Sequence, residues 1–312
     1  MYEERIKQLV SDYRNSGVYL VAIMGNDPKA VHLSETGYTD VGDCLPEMNI
    51  RATYRHLDYP YLCDGATQSV ALQYGPTATP HVFIFDQQII LRYEGRIDNK
   101  ARANTATKHE ARDAIDALIA GRPVTVEDTP AVGCSTKWTY KETGANAEIA
   151  QCDRKPVTVQ RVSIDQLKAL RENSGTQKLL LVNFWAAWCG PCMEEFPEFE
   201  KLVRMYADRQ LNVVTVSINS PDEAKFALAF LEKQHAISRN LLFAGSGSAD
   251  AVSAFGTDWK GGVPYTVLIG TNGEVLFKEQ GSMDALDVER VILKNLPDER
   301  YLGQQAYWTS SF

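Results

Sequence analysis

Lys178 to Pro197, KLLLVNFWAAWCGPCMEEFP, brings an apolar run, a two-cysteine motif and a helix start together within twenty residues. Leu179 to Phe184 is continuous enough in its apolarity to be a strand buried on both faces, and far too short to cross a bilayer. Small residues follow, then Cys189-Gly190-Pro191-Cys192 and a helical pattern. Cys189 therefore falls at a helix N-terminus. Unpaired backbone N–H groups and the positive end of the helix dipole there favour a thiolate, the form that attacks a disulfide. With two residues between them, the cysteines can close a small disulfide, so that Cys192 can resolve a mixed disulfide made by Cys189.

Three other readings compete. Structural disulfides rarely join cysteines this close. A zinc knuckle needs a second ligand pair, and none of Cys44, Cys63, Cys134 or Cys152 forms another CxxC. Two inert core cysteines fit poorly with Trp185, Trp188 and Pro191 crowded into the same turn. The expectation is a redox-active dithiol with no metal and no further cofactor.

Trp188 to Cys192, with Phe184 and Trp185 before it and Pro197 after it, resembles thioredoxin. The continuation Cys192-Met193-Glu194-Glu195-Phe196-Pro197 is closer to the TlpA/ResA-like thiol-disulfide oxidoreductases, and the resemblance spans residues 157–298. It implies a cis-proline loop beside the cysteines at Val263-Pro264. It also maps an active-site glutamate onto Glu195, where thioredoxin's buried aspartate is replaced by Asn183. Glu195 is thus a candidate for proton handling, with a favourable acidic residue in a helix's first turn as the alternative.

The chain has 312 residues and a net charge of −8, with 32 Lys+Arg against 40 Asp+Glu. That length suits about two domains. The acidic balance argues against nucleic acid or an anionic membrane as the main partner. No run is long and apolar enough to span a membrane, and no signal-peptide pattern is visible.

Residues 1–16 carry Ile6, Leu9, Val10 and Tyr13 at helical spacing, and Gly17 to Met24 reads as a buried strand closed by Gly25-Asn26-Asp27-Pro28. Residues 193–222 have the same order: helix, turn, apolar strand, Asn/Asp/Pro turn. Later, Tyr74-Gly75, Thr79-Pro80, strands at 81–85 and 89–93 and a helix at 109–120 match Phe255-Gly256, Val263-Pro264, strands at 266–269 and 275–277 and a helix at 283–296. The chain reads as a duplication of one α/β unit. Its first copy has no counterpart of LLLVNFWAAW or of the CxxC. Either the sequence starts inside a longer reading frame, with any signal peptide upstream, or the first domain fills the gap another way.

The first copy resembles the redoxin-like proteins of the alkyl hydroperoxide reductase and thiol-specific antioxidant superfamily, through YLCDGATQSVALQYGPTATPHVFIFDQQIILRYEGRID and ARDAIDALIAGRPVTVEDTPAVGCSTKW. No cysteine stands in the Thr-x-x-Cys setting of a peroxidatic residue. The expected architecture is α/β: two thioredoxin-like domains with mixed central sheets flanked by helices, the first without its central strand. Domain one is expected at residues 1–122, a linker at 123–156, the catalytic domain at 157–298 and a loose tail at 299–312. Cys134 and Cys152, both in the linker, are open to a stapling disulfide or to remaining free. Ser163 should cap the helix before the central strand, and residues 224–235 and 249–255 read as helices.

The expected activity is reduction of protein disulfides by Cys189 and Cys192. Trp188, Gly190, Pro191, Val263 and Pro264 would form the substrate groove, with Trp188 shielding the disulfide and an upstream electron donor regenerating the dithiol. The TlpA-like resemblance implies an extracytoplasmic location. A peroxidase with domain two as its reductant, and a redox-inert peptide-binding module, are the rival readings.

Overall fold

The computed structural model describes residues 2–37, 42, 44–65, 67–100, 105–206, 209–245, 248–256 and 259–296, so the tail expectation lies outside the described residues. Two compact units emerge, Met1–Val31 with Gly42–Thr143, and His32–Val41 with Gly144–Phe312. Each is an α/β assembly.

The first unit contains α1 (Glu3–Tyr13), β1 (Ala22–Met24), α2 (Leu45–Tyr54), β2 (Tyr61–Cys63), α3 (Ser69–Tyr74), β3 (Ala78–Thr79), β4 (Val82–Phe85), β5 (Leu91–Gly95), α4 (Glu110–Ile119) and β6 (Cys134–Ser135). The second contains α5 (Glu142–Asp153), β7 (Val159–Val162), α6 (Ile164–Glu172), β8 (Leu179–Trp185), α7 (Gly190–Met205), β9 (Leu211–Ser217), α8 (Ala224–Lys233), β10 (Arg239–Phe243), α9 (Ser248–Phe255), β11 (Tyr265–Ile269), β12 (Val275–Gln280) and α10 (Ala285–Asn295).

In the second unit one six-stranded sheet runs β12-β11-β8-β9-β10-β7. β8 is parallel to β9 and antiparallel to β11, and all seven of its residues are buried. Alternation sends Leu180, Val182 and Phe184 into a core with Val214, Val216, Leu241 and Phe255. Leu179 and Leu181 enter a second core with Phe199, Leu202, Val288 and Ile292. Ser163 caps α6 as expected, its hydroxyl accepting from Gln166 N while the Gln166 side chain accepts from Ser163 N.

The first unit has three two-stranded sheets, β1-β2, β3-β6 and β4-β5. Their pairing follows the second unit closely. Ile23 faces Leu62 across the parallel β1-β2 pair, as Val216 faces Leu241 across β9-β10. The antiparallel β4-β5 pair sets Ile84 against Tyr93 and breaks register before Phe85, as β11-β12 sets Leu268 against Phe277 and breaks register before Ile269.

Several expectations need correction. The strand read as buried from Gly17 to Met24 is regular only over Ala22–Met24, and Tyr19, Val21 and Ile23 are exposed, because among the described strands only β2 pairs with it. The expected linker holds β6 and the helix α5, whose weakly amphipathic sequence concealed it. Cys134 and Cys152 are not joined by a disulfide. α2, β2, β7 and β10 went unpredicted: β2 and β7 are short, and β10 lacks a clear alternation.

The turn between β4 and β5 hangs on Asp86, whose Oδ1 accepts from Gln88 N and Ile90 N. It forces Ile89 to a φ of +60° while leaving its side chain in solvent. A β-branched residue resists that conformation. Ile89→Gly should therefore raise stability by about 1 kcal/mol, read as a higher urea midpoint; a lower midpoint would show that the side chain has a stabilising contact outweighing the backbone strain.

Candidate functional site

β8 delivers the chain to the cysteines. It ends at Trp185, and Cys189 N then donates to Ala186 O at 3.0 Å, closing a tight turn. Asn219 holds this turn from the side: its Oδ1 accepts from Ala187 N at 2.9 Å and from Ser217 Oγ at 2.9 Å. The Asn/Asp/Pro signal after β9 places Asn219 in a turn without revealing its target.

Cys189 is the N-cap of α7, with extended backbone, and its Sγ accepts from Cys192 N at 3.3 Å. The two cysteines are joined in a disulfide, their Cα atoms 5.3 Å apart. Cys189 is 6% exposed and Cys192 1%, so the N-cap cysteine is the more exposed residue of the pair. Pro191 fits the first turn of the helix, where an N–H has no intrahelical partner. Gly190, Pro191 and Trp188 are exposed around the cysteines. Pro197 lies inside α7, where it removes one backbone donor.

Beneath the cysteines an apolar cluster gathers Trp185, Phe196, Ala227, Phe230 and Leu231, with Val263 packed against it. Val263-Pro264 is a cis peptide, as is Thr79-Pro80 in the first unit. The Val263 loop is fixed on both sides. Trp259 Nε1 donates to Gly262 O at 2.7 Å, and Gly281 N donates to Pro264 O at 2.9 Å. The Trp259 ring stacks on Tyr265 and tilts against Phe184.

Glu195 lies one turn beyond Cys192 on α7, at the three-residue spacing that puts two side chains on one helix face. It is buried. Its Oε1 accepts from Asn183 Nδ2 at 3.1 Å and its Oε2 from Met283 N at 3.0 Å. Asn183 Nδ2 also donates to Thr266 Oγ1 at 3.2 Å, tying β8, β11 and α7 together. Burial pushes the Glu195 carboxyl above the ordinary glutamate range, and the two hydrogen bonds only partly offset that. Thr266 and the Met283 N–H were missed, because neither lies near the motif in sequence.

Glu200, on the next turn of α7, is also buried and raised, but it accepts from Ile237 N and Ser238 Oγ, away from the cysteines. No cluster of three or more metal-ligating side chains occurs among the described residues, and none of their helices is long and apolar enough to cross a membrane.

Residues 162–292 match the family model described as Redoxin. The thiol:disulfide interchange protein CycY of Rhizobium leguminosarum is 29% identical over 49% of this chain and 74% of its own length. The thiol-disulfide oxidoreductase ResA of Geobacillus kaustophilus is 31% identical over 36% of this chain, and the chain spans only 60% of that relative. Among solved structures, a thiol:disulfide interchange protein DsbE from Chlorobium tepidum aligns with a TM-score of 0.33 at 29% identity, over 38% of this chain and 81% of that one.

Burial raises the Glu195 carboxyl above the 4.5 of an ordinary glutamate. Its contribution to stability is full below that ordinary value and is lost as pH rises through the raised one. The stability of the native protein minus that of Glu195→Gln should therefore fall with increasing pH across that window in urea titrations. Glu200 is common to both proteins and cancels; a difference that does not vary with pH would mean Glu195 titrates as it does in the unfolded chain.

Proposed function

We propose, from the match of residues 162–292 to the Redoxin family model, that the chain reduces protein disulfides through Cys189 and Cys192. The observation that carries this reading is the placement of Cys189 as the α7 N-cap, its sulfur accepting the Cys192 N–H and Cys192 buried behind it. In the reduced protein that N–H and the helix terminus stabilise a Cys189 thiolate. The thiolate attacks one sulfur of a substrate disulfide, and the other leaves as a thiolate and takes a proton. Cys192, once deprotonated, attacks Cys189 Sγ; the internal disulfide forms and the second substrate sulfur is released. Two electrons have passed to the substrate. A dithiol donor returns them.

Glu195 is the group we assign to accept the Cys192 proton, since it is buried on the same helix face and its raised carboxyl brings it nearer to a thiol in proton affinity. Trp188, Gly190, Pro191, Val263 and Pro264 are assigned to the substrate groove. The first unit supports the pairing mode. There Thr79, which also precedes a cis proline, pairs antiparallel with Cys134, and a Cβ on Gly133 would collide with the Thr79 carbonyl. An extended substrate segment would lie against Val263 in the same way. The same pairing fills the corresponding edge of the first unit with its own chain, which weighs against a peptide-binding role for that edge.

We read the chain as two thioredoxin-like domains, at residues 1–122 and 157–298, the first without its central strand and CxxC. The matched registers of β1-β2 with β9-β10, and of β4-β5 with β11-β12, support this reading. Action on protein disulfides suits an extracytoplasmic compartment, where such bonds persist.

Insulin reduction in dithiothreitol tests the activity. The native protein should accelerate precipitation, Cys189→Ser should fall to the uncatalysed rate, and Cys192→Ser should accumulate a mixed disulfide with insulin. Equal rates for the native protein and Cys189→Ser would remove the proposal. In the reduced native protein, iodoacetamide should label Cys189 before Cys192.

A further inference from the structure

The β8-β9 ladder ends at Trp185 and Ser217, with Ile218 N donating to Trp185 O at 2.9 Å. Two positions further in the same register Ala187 stands opposite Asn219, but the main chain has by then turned toward Cys189. A side chain takes over from the ladder there, Asn219 Oδ1 accepting from Ala187 N at 2.9 Å. An amide can present its oxygen or its nitrogen, and only the oxygen can meet an N–H. Two neighbours decide which. Ser217 Oγ accepts from Asn219 N at 3.3 Å and gives its one proton to Asn219 Oδ1 at 2.9 Å. On the other side Asn219 Nδ2 donates to Glu223 Oε2 at 3.2 Å, and Ser220 N donates to the same oxygen at 3.1 Å. The Ser220 N–H first, and the Asn219 amide after it, hold the Glu223 carboxyl below the ordinary glutamate range. At neutral pH it is therefore an anion that only accepts, and it fixes the amide with nitrogen outward and oxygen toward the turn.

We propose that Glu223 and Asn219 are positioning residues for the thiol chemistry: Glu223 orients the Asn219 amide, and the amide holds Ala187 so that the Cys189 sulfur stays at the α7 terminus. This rests on reading Cys189 as the attacking thiol. Ala187 lies two residues before Cys189, and Cys189 N is bonded to Ala186 O, so a turn released at Ala187 carries the N-cap residue with it. Moving Cys189 Sγ away from the Cys192 N–H takes from the thiolate both that hydrogen bond and the field of the helix terminus.

A plain charge effect of Glu223 has the opposite sign. Removing an anion from the neighbourhood of a thiol favours the thiolate by electrostatics alone. Removing the group that orients Asn219 disfavours it. The direction in which the Cys189 titration moves therefore separates positioning from charge, and a change in overall stability separates neither.

The test is the pH dependence of iodoacetamide labelling at Cys189 in the reduced full chain, read by mass spectrometry. Glu223→Ala should slow labelling near neutral pH about threefold and Asn219→Ala about tenfold, each through an upward shift of the titration midpoint. Glu223→Gln keeps an acceptor for both donors and should label at the native rate or faster. Glu223→Lys, whose ammonium can only donate, should turn the amide over, set Nδ2 against the Ala187 N–H and raise the midpoint in spite of its positive charge. Glu223 is partly exposed, so its variants carry the test even if the buried Asn219→Ala fails to fold. Midpoints in Glu223→Ala and Glu223→Lys that stay native, or that fall as charge alone requires, would overturn the proposal. A lowered urea midpoint with an unmoved labelling curve would overturn it as well, leaving the pair a part in folding only. Faster labelling of Cys192 than of Cys189 in the native protein would instead overturn the cysteine roles beneath it.

Discussion

The double pairing of β8 is the constraint on which the second unit depends. A strand hydrogen-bonded to β9 on one side and β11 on the other has no free edge, and with α6 and α9 packed on one face and α7 and α10 on the other, every side chain must suit a packed interior. Leu179 to Trp185 meets that demand with one polar exception. Asn183 is tolerated because its amide donates to both Glu195 and Thr266, so no buried donor is left over. The rigid strand end then fixes where the chain turns into Cys189, and the position of the sulfur follows from the sheet.

The same constraint explains the carboxylate. Glu195 is drawn below the surface because α7 must lay Phe196, Phe199 and Leu202 on the sheet. A charge in that position is disfavoured by lost hydration, which raises its proton affinity, and the Asn183 and Met283 donors keep it in one place. Packing and proton chemistry share one cause. Glu200 shows that burial alone does not make a site, since its oxygens are committed to Ile237 and Ser238 in the turn between α8 and β10.

In the first unit no described strand pairs with two others. Its hairpin and its parallel pair retain the registers seen in the second unit, since these depend on local turns and neighbouring strands. Its core is closed on the side of α1 and α4, where Tyr2, Leu9, Tyr13 and Ile97 cluster. On the other side Ile23 of β1 and Leu62 of β2 face solvent, whereas Val216 and Leu241 of β9 and β10 are buried.

Apolar runs and motif spacing in the sequence were enough to determine the strand–turn–helix at Leu179–Met205, the cap at Ser163 and the roles open to Cys189 and Cys192. These are local features, set by hydrogen bonds within a few residues and by periodicity. The order of the six strands, the hold of Asn219 on the turn, and the meeting of Glu195 with Met283 N were decided only by tertiary structure. They join residues 32 and 88 positions apart, a separation that no pattern along the chain records. Exposure of Val21 and Ile23 belongs to the same class. Their apolarity is a property of the sequence, but whether an apolar strand is buried depends on which neighbours reach it.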